Sequence, residues 1–361
     1  MNILLESFIN GYTLNNISKI FYPIVDRNII PWDILESINN YYKLSYKKYY
    51  KKEEIAYILS QFYLKSIYIS SNFSLKQKII IENIKQYDEW LREALKRIDY
   101  KQKLHYIYKI RKKIMKIKPY VVDVLIHGSI ATLDYSPWSD YDLIIIIKDK
   151  SITSINTLIK IRRNIVKINK LLYLNDPLQH HGFFIISESD LFNYDENYLP
   201  IDTIRNGVSM FGVDKIIIFK INSNKKYWQN KLLKLIYELK SIDVSSLNIF
   251  TWKLFCHNML LIPSLFLETQ GIYVYKKHSF ELISKYFDKD DLEIIDYLSN
   301  IRNKFFFRPW WRVLLLLFGT FWPLVGILSR VKISNYNTRE INNMKNKFLE
   351  KIIYKINLYT A

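Results

Sequence analysis

The chain has 361 residues, of which 49% are hydrophobic, so it can form two or three domains with buried cores and is not an intrinsically disordered protein. Its single cysteine, Cys256, excludes a disulfide framework and a four-thiolate zinc site. The net charge of +19 attracts anions in general, but 41 of the 53 basic residues are lysines, and this bias identifies no partner. The first ten residues lack the basic start and apolar core of a signal peptide, so we expect a reducing, cytoplasmic location.

The first 118 residues form the first region and are expected to be helical. Apolar residues recur at three- and four-residue spacing over Ile55–Ile69 and Lys76–Arg97, which is typical of amphipathic helices. Lys101–Lys118 has the same spacing, with eight basic residues and no acidic one. Such a helix is either a solvated layer on the next domain or a surface for a polyanion.

At Pro119 the pattern changes to that of a small α/β core, which we assign to residues 119–222. Val121–Ile126 and Leu143–Ile147 are dense β-branched runs, as expected of strands buried on both faces. A helical stretch and two more strand-like runs follow, at Ile152–Leu174, Phe183–Ser187 and Lys215–Phe219.

The most informative stretch lies between the first two strands of this core. Gly128-Ser129 follows the first strand, and Asp140-Tyr141-Asp142 precedes the second. Strand alternation would place both carboxylates on one face, where they repel each other unless a cation lies between them. Gly128 lets a phosphate approach the backbone, and Ser129 would open a helix over Ile130–Leu133 whose N–H groups point at that phosphate.

An apolar strand, Gly-Ser, a gap of ten residues and Asp-x-Asp resembles the signature of the polymerase-β-like nucleotidyltransferase superfamily, including its minimal, antibiotic-modifying members. The resemblance implies that Asp140 and Asp142 bind Mg²⁺ or Mn²⁺ and that Gly128 and Ser129 hold the β- and γ-phosphates of a nucleoside triphosphate such as ATP. It also implies an α+β fold: a small mixed-sheet nucleotidyltransferase core flanked by N-terminal helices and a C-terminal helical bundle.

Members of that superfamily usually carry a third carboxylate on a strand after the intervening helix. Here His180 and His181 stand at that place, and either could bind the metal or accept a proton from the acceptor hydroxyl, since an imidazole titrates near neutrality. The alternative is a structural histidine pair. The remaining candidates for the third ligand are Asp176, Glu188 and Asp190.

Helical spacing returns in the second half of the chain. We expect a bundle over residues 223–308 on the acceptor side of the site, and Lys276, Lys277 and His278 either face phosphates or form a solvated turn. Residues 309–361 form an apolar segment and a basic tail. Val313–Ser329 is uncharged but too short to cross a bilayer, so residues 310–329 are either a membrane-peripheral segment or a buried helix.

The leading hypothesis is a metal-dependent nucleotidyltransferase that moves a nucleoside monophosphate to an acceptor hydroxyl on a small molecule, protein or RNA, releasing pyrophosphate. One alternative is a catalytically impaired nucleotide-binding or membrane-peripheral module that lacks the third carboxylate. A metal-dependent glycosyltransferase is the other alternative, although its Asp-x-Asp pair does not need an upstream Gly-Ser turn.

Overall fold

The computed structural model describes most of the chain, and its residues divide into two compact units. The described residues are 2–10, 56, 57, 59, 60, 63, 77–97, 101–134, 139–175, 182–196, 198–220, 225–304 and 336–360. The first unit comprises residues within Met1–Asp134, Asp140–Asp195 and Asn206–Ile221. The second comprises residues within Tyr135–Ser139, Glu196–Arg205 and Asn222–Ala361.

The described part of the first unit contains a five-stranded mixed sheet and a two-stranded ribbon. The seven strands are β1 (Gln77–Ile81), β2 (Lys85–Gln86), β3 (Val121–His127), β4 (Asp142–Ile147), β5 (Phe184–Ser187), β6 (Val208–Ser209) and β7 (Ile216–Lys220). The large sheet has the order β2-β6-β3-β4-β5. Its central pair β3–β4 is antiparallel, and β4–β5 is parallel.

The helices of the first unit surround the central strands, which are almost completely buried. They are α1 (Asn2–Asn10), α2 (Tyr87–Ala94), α3 (Lys101–Ile114), α4 (Gly128–Ala131), α5 (Asp149–Ile152), α6 (Ile155–Asn175) and α7 (Glu188–Phe192). Every residue of Leu143–Ile147 is at most 3% exposed. This confirms the buried strands that the β-branched runs predict, because such strands have no solvent face on which polar residues would alternate.

The helix predicted over Lys76–Arg97 is wrong in its first half. Gln77–Ile81 is strand β1, and its isoleucines pair with those of β7, with Ile79 opposite Ile218 and Ile81 opposite Ile216. Asn83 then adopts a left-handed φ of 57°, and helix α2 begins only at Tyr87. Consecutive β-branched residues favour a strand once a partner is available, and that partner lies more than 130 residues away in sequence.

The second unit is helical in its described part. Its helices are α8 (Ile201–Arg205), α9 (Lys225–Lys240), α10 (Ile249–Met259), α11 (Ile262–Thr269), α12 (Lys276–Leu282), α13 (Glu293–Lys304) and α14 (Thr338–Thr360). The apolar run Ile249–Leu267 is divided between α10 and α11 at Leu260–Leu261, and Pro263 lies in the first turn of α11, where its missing N–H costs no hydrogen bond. Trp228, Trp252, Phe255 and Phe266 are buried in the core.

A mixed sheet with a helical C-terminal region confirms the predicted fold class. The sequence-based division at 118, 222 and 308 stays a prediction. The apolar segment 310–329 lies outside the described residues, and no described helix is long and apolar enough to span a membrane.

Asp123, at the start of β3, provides a test of this core. It is 0% exposed, and its Oδ1 accepts hydrogen bonds from the backbone N–H of Val124 (2.7 Å) and Phe211 (3.0 Å). Burial raises the pKa of this carboxyl group to about 6, although the hydrogen bonds it accepts, that of Ser209 first, act in the opposite direction.

We therefore expect Asp123→Asn to remove a pH-dependent part of the stability. The folded protein retains the Asp123 proton up to about pH 6, whereas the unfolded chain releases it near its ordinary pKa of 3.8. The free energy of unfolding should thus decrease as pH rises between these values, by up to about 3 kcal/mol from this group alone. Urea unfolding at pH 4 and pH 7 measures the change. The exposed Asp214→Asn serves as control, and equal pH dependence of the wild type and Asp123→Asn would contradict the prediction.

Candidate active site

The glycine turn and the Asp-x-Asp pair lie at the same edge of the sheet. Strand β3 ends at His127, strand β4 begins at Asp142, and these two residues are directly opposite each other in the antiparallel ladder. Gly128 follows immediately after His127 and starts the one-turn helix α4. The register of two buried strands therefore places Asp142 beside Gly128.

Gly128 and Asp142 are in direct contact. Gly128 has a left-handed φ of 71°, which a glycine adopts at no steric cost. A Cβ atom added to it would overlap Asp142 Oδ2 and would lie only 3.1 Å from Asp142 Cγ. The carboxylate thus occupies the space that any side chain at position 128 would need. The sequence indicated a glycine for phosphate approach, and the structure adds the close approach of Asp142.

Ser129 is the second residue of α4, which covers Gly128–Ala131 rather than the predicted Ile130–Leu133. The helix begins earlier because the chain turns at Gly128 itself. Its single turn has little macrodipole, so a phosphate here would depend on individual backbone N–H groups and the half-buried Ser129 hydroxyl. Trp90 holds this turn in place by donating its indole N–H to the carbonyl of Ile130 at 3.1 Å.

Asp140 lies two residues ahead of Asp142 and outside strand β4. Strand alternation therefore cannot by itself place the two carboxylates on one face. The two aspartates nevertheless differ in burial from the residue between them, since Tyr141 is 2% exposed whereas Asp140 and Asp142 are half-buried. Two partly exposed carboxylates are a donor set suited to Mg²⁺ or Mn²⁺, which take one or two carboxylates and complete their shell with water and phosphate oxygens.

Two of the remaining candidates for a third carboxylate, Glu188 and Asp190, lie at the opposite edge of the sheet. They follow Ser187, which pairs with Ile147 at the far end of β4 from Asp142. Asp190 forms a capping box with Ser187, and Glu188 Oε2 accepts a hydrogen bond from the backbone N–H of Asp149. Among the residues that the structure describes, no group of three His, Cys, Asp or Glu side chains could hold a metal ion.

His180, His181 and Asp176 lie outside the described residues. The strand that follows them is described: β5 runs parallel to β4 and begins with Phe184 opposite Ile144, two residues beyond Asp142. The chain therefore enters β5 at the edge where β4 begins. The role of His180 or His181 in place of the third carboxylate stays a prediction.

Two residues support the site without a clear signal in the sequence. His127 is 6% exposed, and its ring centroid lies 5.2 Å from that of Phe184, so it joins the ends of β3 and β5 beside the carboxylates. Trp90 comes from a helix 40 residues upstream of the carbonyl that it binds. A polar residue that ends an apolar strand could indicate His127, whereas nothing local indicates Trp90.

The basic residues predicted to face phosphates from the helical bundle make contacts within the second unit. Lys276 Nζ donates a hydrogen bond to the carbonyl of His257 at 3.3 Å. His278 Nδ1 lies 3.6 Å from Asp202 Oδ2, and the same oxygen accepts a hydrogen bond from the backbone N–H of Tyr275 at 2.5 Å. These contacts tie α12 to α8, and the role of the basic residues toward phosphate stays a prediction.

The contact between Gly128 and Asp142 yields a prediction with a matched control. Gly128→Ala and Gly212→Ala both place a side chain at positive φ (71° and 94°), a strain of about 1–2 kcal/mol each. At Gly212 the nearest atom to a new Cβ is Gln86 Oε1 at 3.8 Å, so only Gly128→Ala displaces a carboxylate.

We expect both variants to lose similar stability in urea, because a half-buried aspartate can rotate away. Only Gly128→Ala should lose Mn²⁺ affinity in calorimetric titrations, by at least tenfold. Undiminished Mn²⁺ binding in folded Gly128→Ala would show that this contact does not position a metal ligand.

Comparison with known protein families gives one match, and it covers this site. Residues 107–260 match the family model of the nucleotidyltransferase domain, and the match includes Gly128, Ser129, Asp140 and Asp142. No curated protein and no solved structure matches the chain. The matched domain is one of transferases, and it implies a nucleoside triphosphate as substrate and transfer of its nucleoside monophosphate. The chain therefore carries a nucleotidyltransferase domain, consistent with the polymerase-β-like superfamily.

Proposed function

We propose that the protein is a metal-dependent nucleotidyltransferase whose reaction takes place at the edge formed by Gly128 and Asp142. The observation that carries this proposal is the packing of the Asp142 carboxylate against the Cα of Gly128, at the end of two paired strands. It brings a group for a cation and a turn for a phosphate into direct contact. A triphosphate and its cation bind next to each other, so the groups that hold them must also be adjacent.

In the proposed reaction the acceptor hydroxyl oxygen forms a bond to the α-phosphorus of the triphosphate. The bond from that phosphorus to the bridging oxygen breaks, pyrophosphate leaves, and the hydroxyl proton passes to a base. Gly128 and Ser129 would hold the β- and γ-phosphates through backbone N–H groups and the hydroxyl of Ser129. Positioning and charge neutralisation supply most of the catalysis in such a transfer.

Asp140 and Asp142 would hold the divalent cation, Mg²⁺ or Mn²⁺. The donor chemistry fits, because both side chains are half-buried carboxylates and that of Asp142 packs against Gly128 of the proposed phosphate site. When bound, such an ion neutralises negative charge on the phosphate oxygens. The protein's own part is to fix the two carboxylates, through the ladder at Asp142 and the buried ring of Tyr141.

A nucleotide-binding module without catalysis is the second candidate. It is favoured by the lack of a third carboxylate near Asp140 and Asp142 among the described residues. Under this alternative the protein would bind triphosphate and cation and transfer nothing. The two functions differ in one measurable product, the nucleotidylated acceptor.

We expect Asp140→Asn and Asp142→Asn each to abolish metal-dependent transfer. Each change removes a negative charge needed to hold the cation, and a loss of a hundredfold or more would correspond to about 3 kcal/mol of barrier. The measurement incubates the protein with each α-³²P-labelled triphosphate, Mg²⁺ or Mn²⁺, and cell extract, and then follows label into RNA, protein and small molecules.

The control is Asp214→Asn, which removes the same charge from an exposed residue of the same unit. It should transfer label as the wild type does. The apo forms of the two site variants should melt no lower than the wild type, because each change relieves repulsion between neighbouring carboxylates. Full transfer in either site variant would refute the site, and label in no fraction with the wild type would favour the binding module.

One histidine of the His180-His181 pair is expected to replace the third carboxylate of the family, either as a ligand of the metal or as the base that accepts the acceptor's proton. The strand alternation expected from the sequence would point the two rings to opposite faces, so only one of the two should face the site. His180→Ala and His181→Ala are therefore controls for each other in the transfer assay. We expect one to lose more than tenfold and the other to keep its activity. If neither loses tenfold, the pair is structural.

A further inference from the structure

Two neighbouring helices of the first unit present rows of basic residues that the proposed reaction does not use. Helix α3 carries six basic and no acidic residues, and helix α6 carries five basic and no acidic ones. At the average frequency of acidic residues in the chain, about three would fall within the 35 positions of these helices. The lysine bias of the chain explains many bases, but it does not explain the missing acids.

The exposed bases on these helices form two rows. Each row has one base per turn at three- and four-residue spacing, which places them on one outward side of each helix. The rows consist of Lys109, Lys112 and Lys116, at the end of α3 and in the 3₁₀ turn after it, and Lys160, Arg163 and Lys167, on α6. We call these six residues the α3–α6 basic face.

The two rows lie side by side. Helices α3 and α6 pack against each other, and Lys160 also donates a hydrogen bond at 2.6 Å to the hydroxyl of Tyr120, the last residue of the 3₁₀ turn. The opposite sides of both helices are buried, with Ile107 and Ile110 of α3 and Ile161 and Ile165 of α6 at most 2% exposed. Both rows therefore face solvent from one helical layer.

No acidic partner among the described residues neutralises this face. The ion pair that the structure gives for α3 joins Arg111 to Asp88 at 3.8 Å, and Arg111 does not belong to either row. Six exposed, uncompensated bases on one layer produce a positive potential that attracts a polyanion.

An aromatic side chain adds a second kind of contact. Tyr108 is 62% exposed and adjoins Lys109 and Lys112 on α3. An exposed ring among lysines suits a strand of nucleic acid, because nucleobases stack on aromatic rings while the phosphates contact basic side chains. An anionic membrane fits less well: beside Tyr108, the described residues of α3 and of the 3₁₀ turn after it expose only Met115 as a large apolar residue, too little to insert into lipid.

The direction of α6 links this face to the site. Strands β4 and β5 are parallel, so the intervening helix α6 must run back toward the edge at which β4 begins with Asp142. The row from Lys160 to Lys167 therefore runs toward the carboxylate edge of the same unit.

We propose that the α3–α6 basic face binds single-stranded nucleic acid and delivers its end, as acceptor, to the edge of the sheet at Asp142. The role as acceptor rests on the proposed function, whereas the binding does not. The two are separable because binding is measured without a triphosphate.

The test is fluorescence anisotropy of the full chain with labelled RNA and DNA strands of about 20 nucleotides and the same mixed sequence, from 50 to 300 mM NaCl. We expect Lys109→Gln/Lys112→Gln/Lys116→Gln and Lys160→Gln/Arg163→Gln/Lys167→Gln each to weaken binding at least tenfold. Each neutralised phosphate contributes about −0.7 to the slope of log K against log salt, so each triple variant should flatten that slope by about 1 to 2. Whether RNA or DNA binds more tightly identifies the strand.

The matched control is Lys285→Gln/Lys289→Gln/Lys347→Gln, which removes the same charge from three exposed lysines of the second unit. The strand affinity of Tyr108→Ala is compared with that of Tyr237→Ala, since both tyrosines are 62% exposed. Melting curves like that of the wild type establish that each variant is folded.

Equal weakening by the control triple would overturn the proposal, because general charge would then explain binding. Binding of anionic phosphatidylserine vesicles in place of either strand would overturn it in favour of a membrane surface. Asp142→Asn should bind the strand no more weakly than the wild type does, because the change removes only a negative charge. If it binds but the wild type transfers nothing to the strand, the surface stands and the acceptor role fails.

Discussion

The packing of Asp142 against the Cα of Gly128 is the constraint on which the rest of the site depends. It requires a residue without a side chain at the end of β3, and it requires the strand register that puts His127 opposite Asp142. A shift of one residue would turn Asp142 to the other face of the sheet. Such a shift would break the ladders on both sides of β4, because β4 pairs with β3 and with β5. The core therefore positions the chemistry.

The central strands could be predicted from sequence because their signal is local and dense. Ile144–Ile147 are four consecutive isoleucines, and a short run of this type between turn residues has few alternatives to a buried strand. The helix prediction for Lys76–Arg97 failed in its first half, because the spacing of its apolar residues fits a helix whereas its β-branched residues fit a strand. Its pairing partner, β7, decided between them, and a pattern within one segment contains no information about a partner elsewhere.

The candidate site likewise contains residues that the sequence could predict and residues that it could not. Gly128, Ser129, Asp140 and Asp142 are close in sequence and have a recognisable order, so they could be selected without a structure. Their supports could not, since Trp90 reaches the site through a single hydrogen bond to a backbone carbonyl. The register between β4 and β5 also excludes two candidates for the third carboxylate. Glu188 and Asp190 follow β5 closely enough in sequence to be considered, but the pairing of Ser187 with Ile147 removes them to the far edge.

The electrostatics of the first unit have two length scales. Two carboxylates at the edge of the sheet repel a polyanionic substrate at short range, and only cations held between them can reverse this. Attraction at longer range must come from elsewhere, and in this unit the uncompensated bases of α3 and α6 can supply it. Because physiological salt screens exposed charges within about 8 Å, such attraction acts only on a strand already near the helical layer. A net charge of +19 spread over the whole surface would not direct a ligand to one edge, whereas two rows on helices that pack together, one running toward Asp142, would do so.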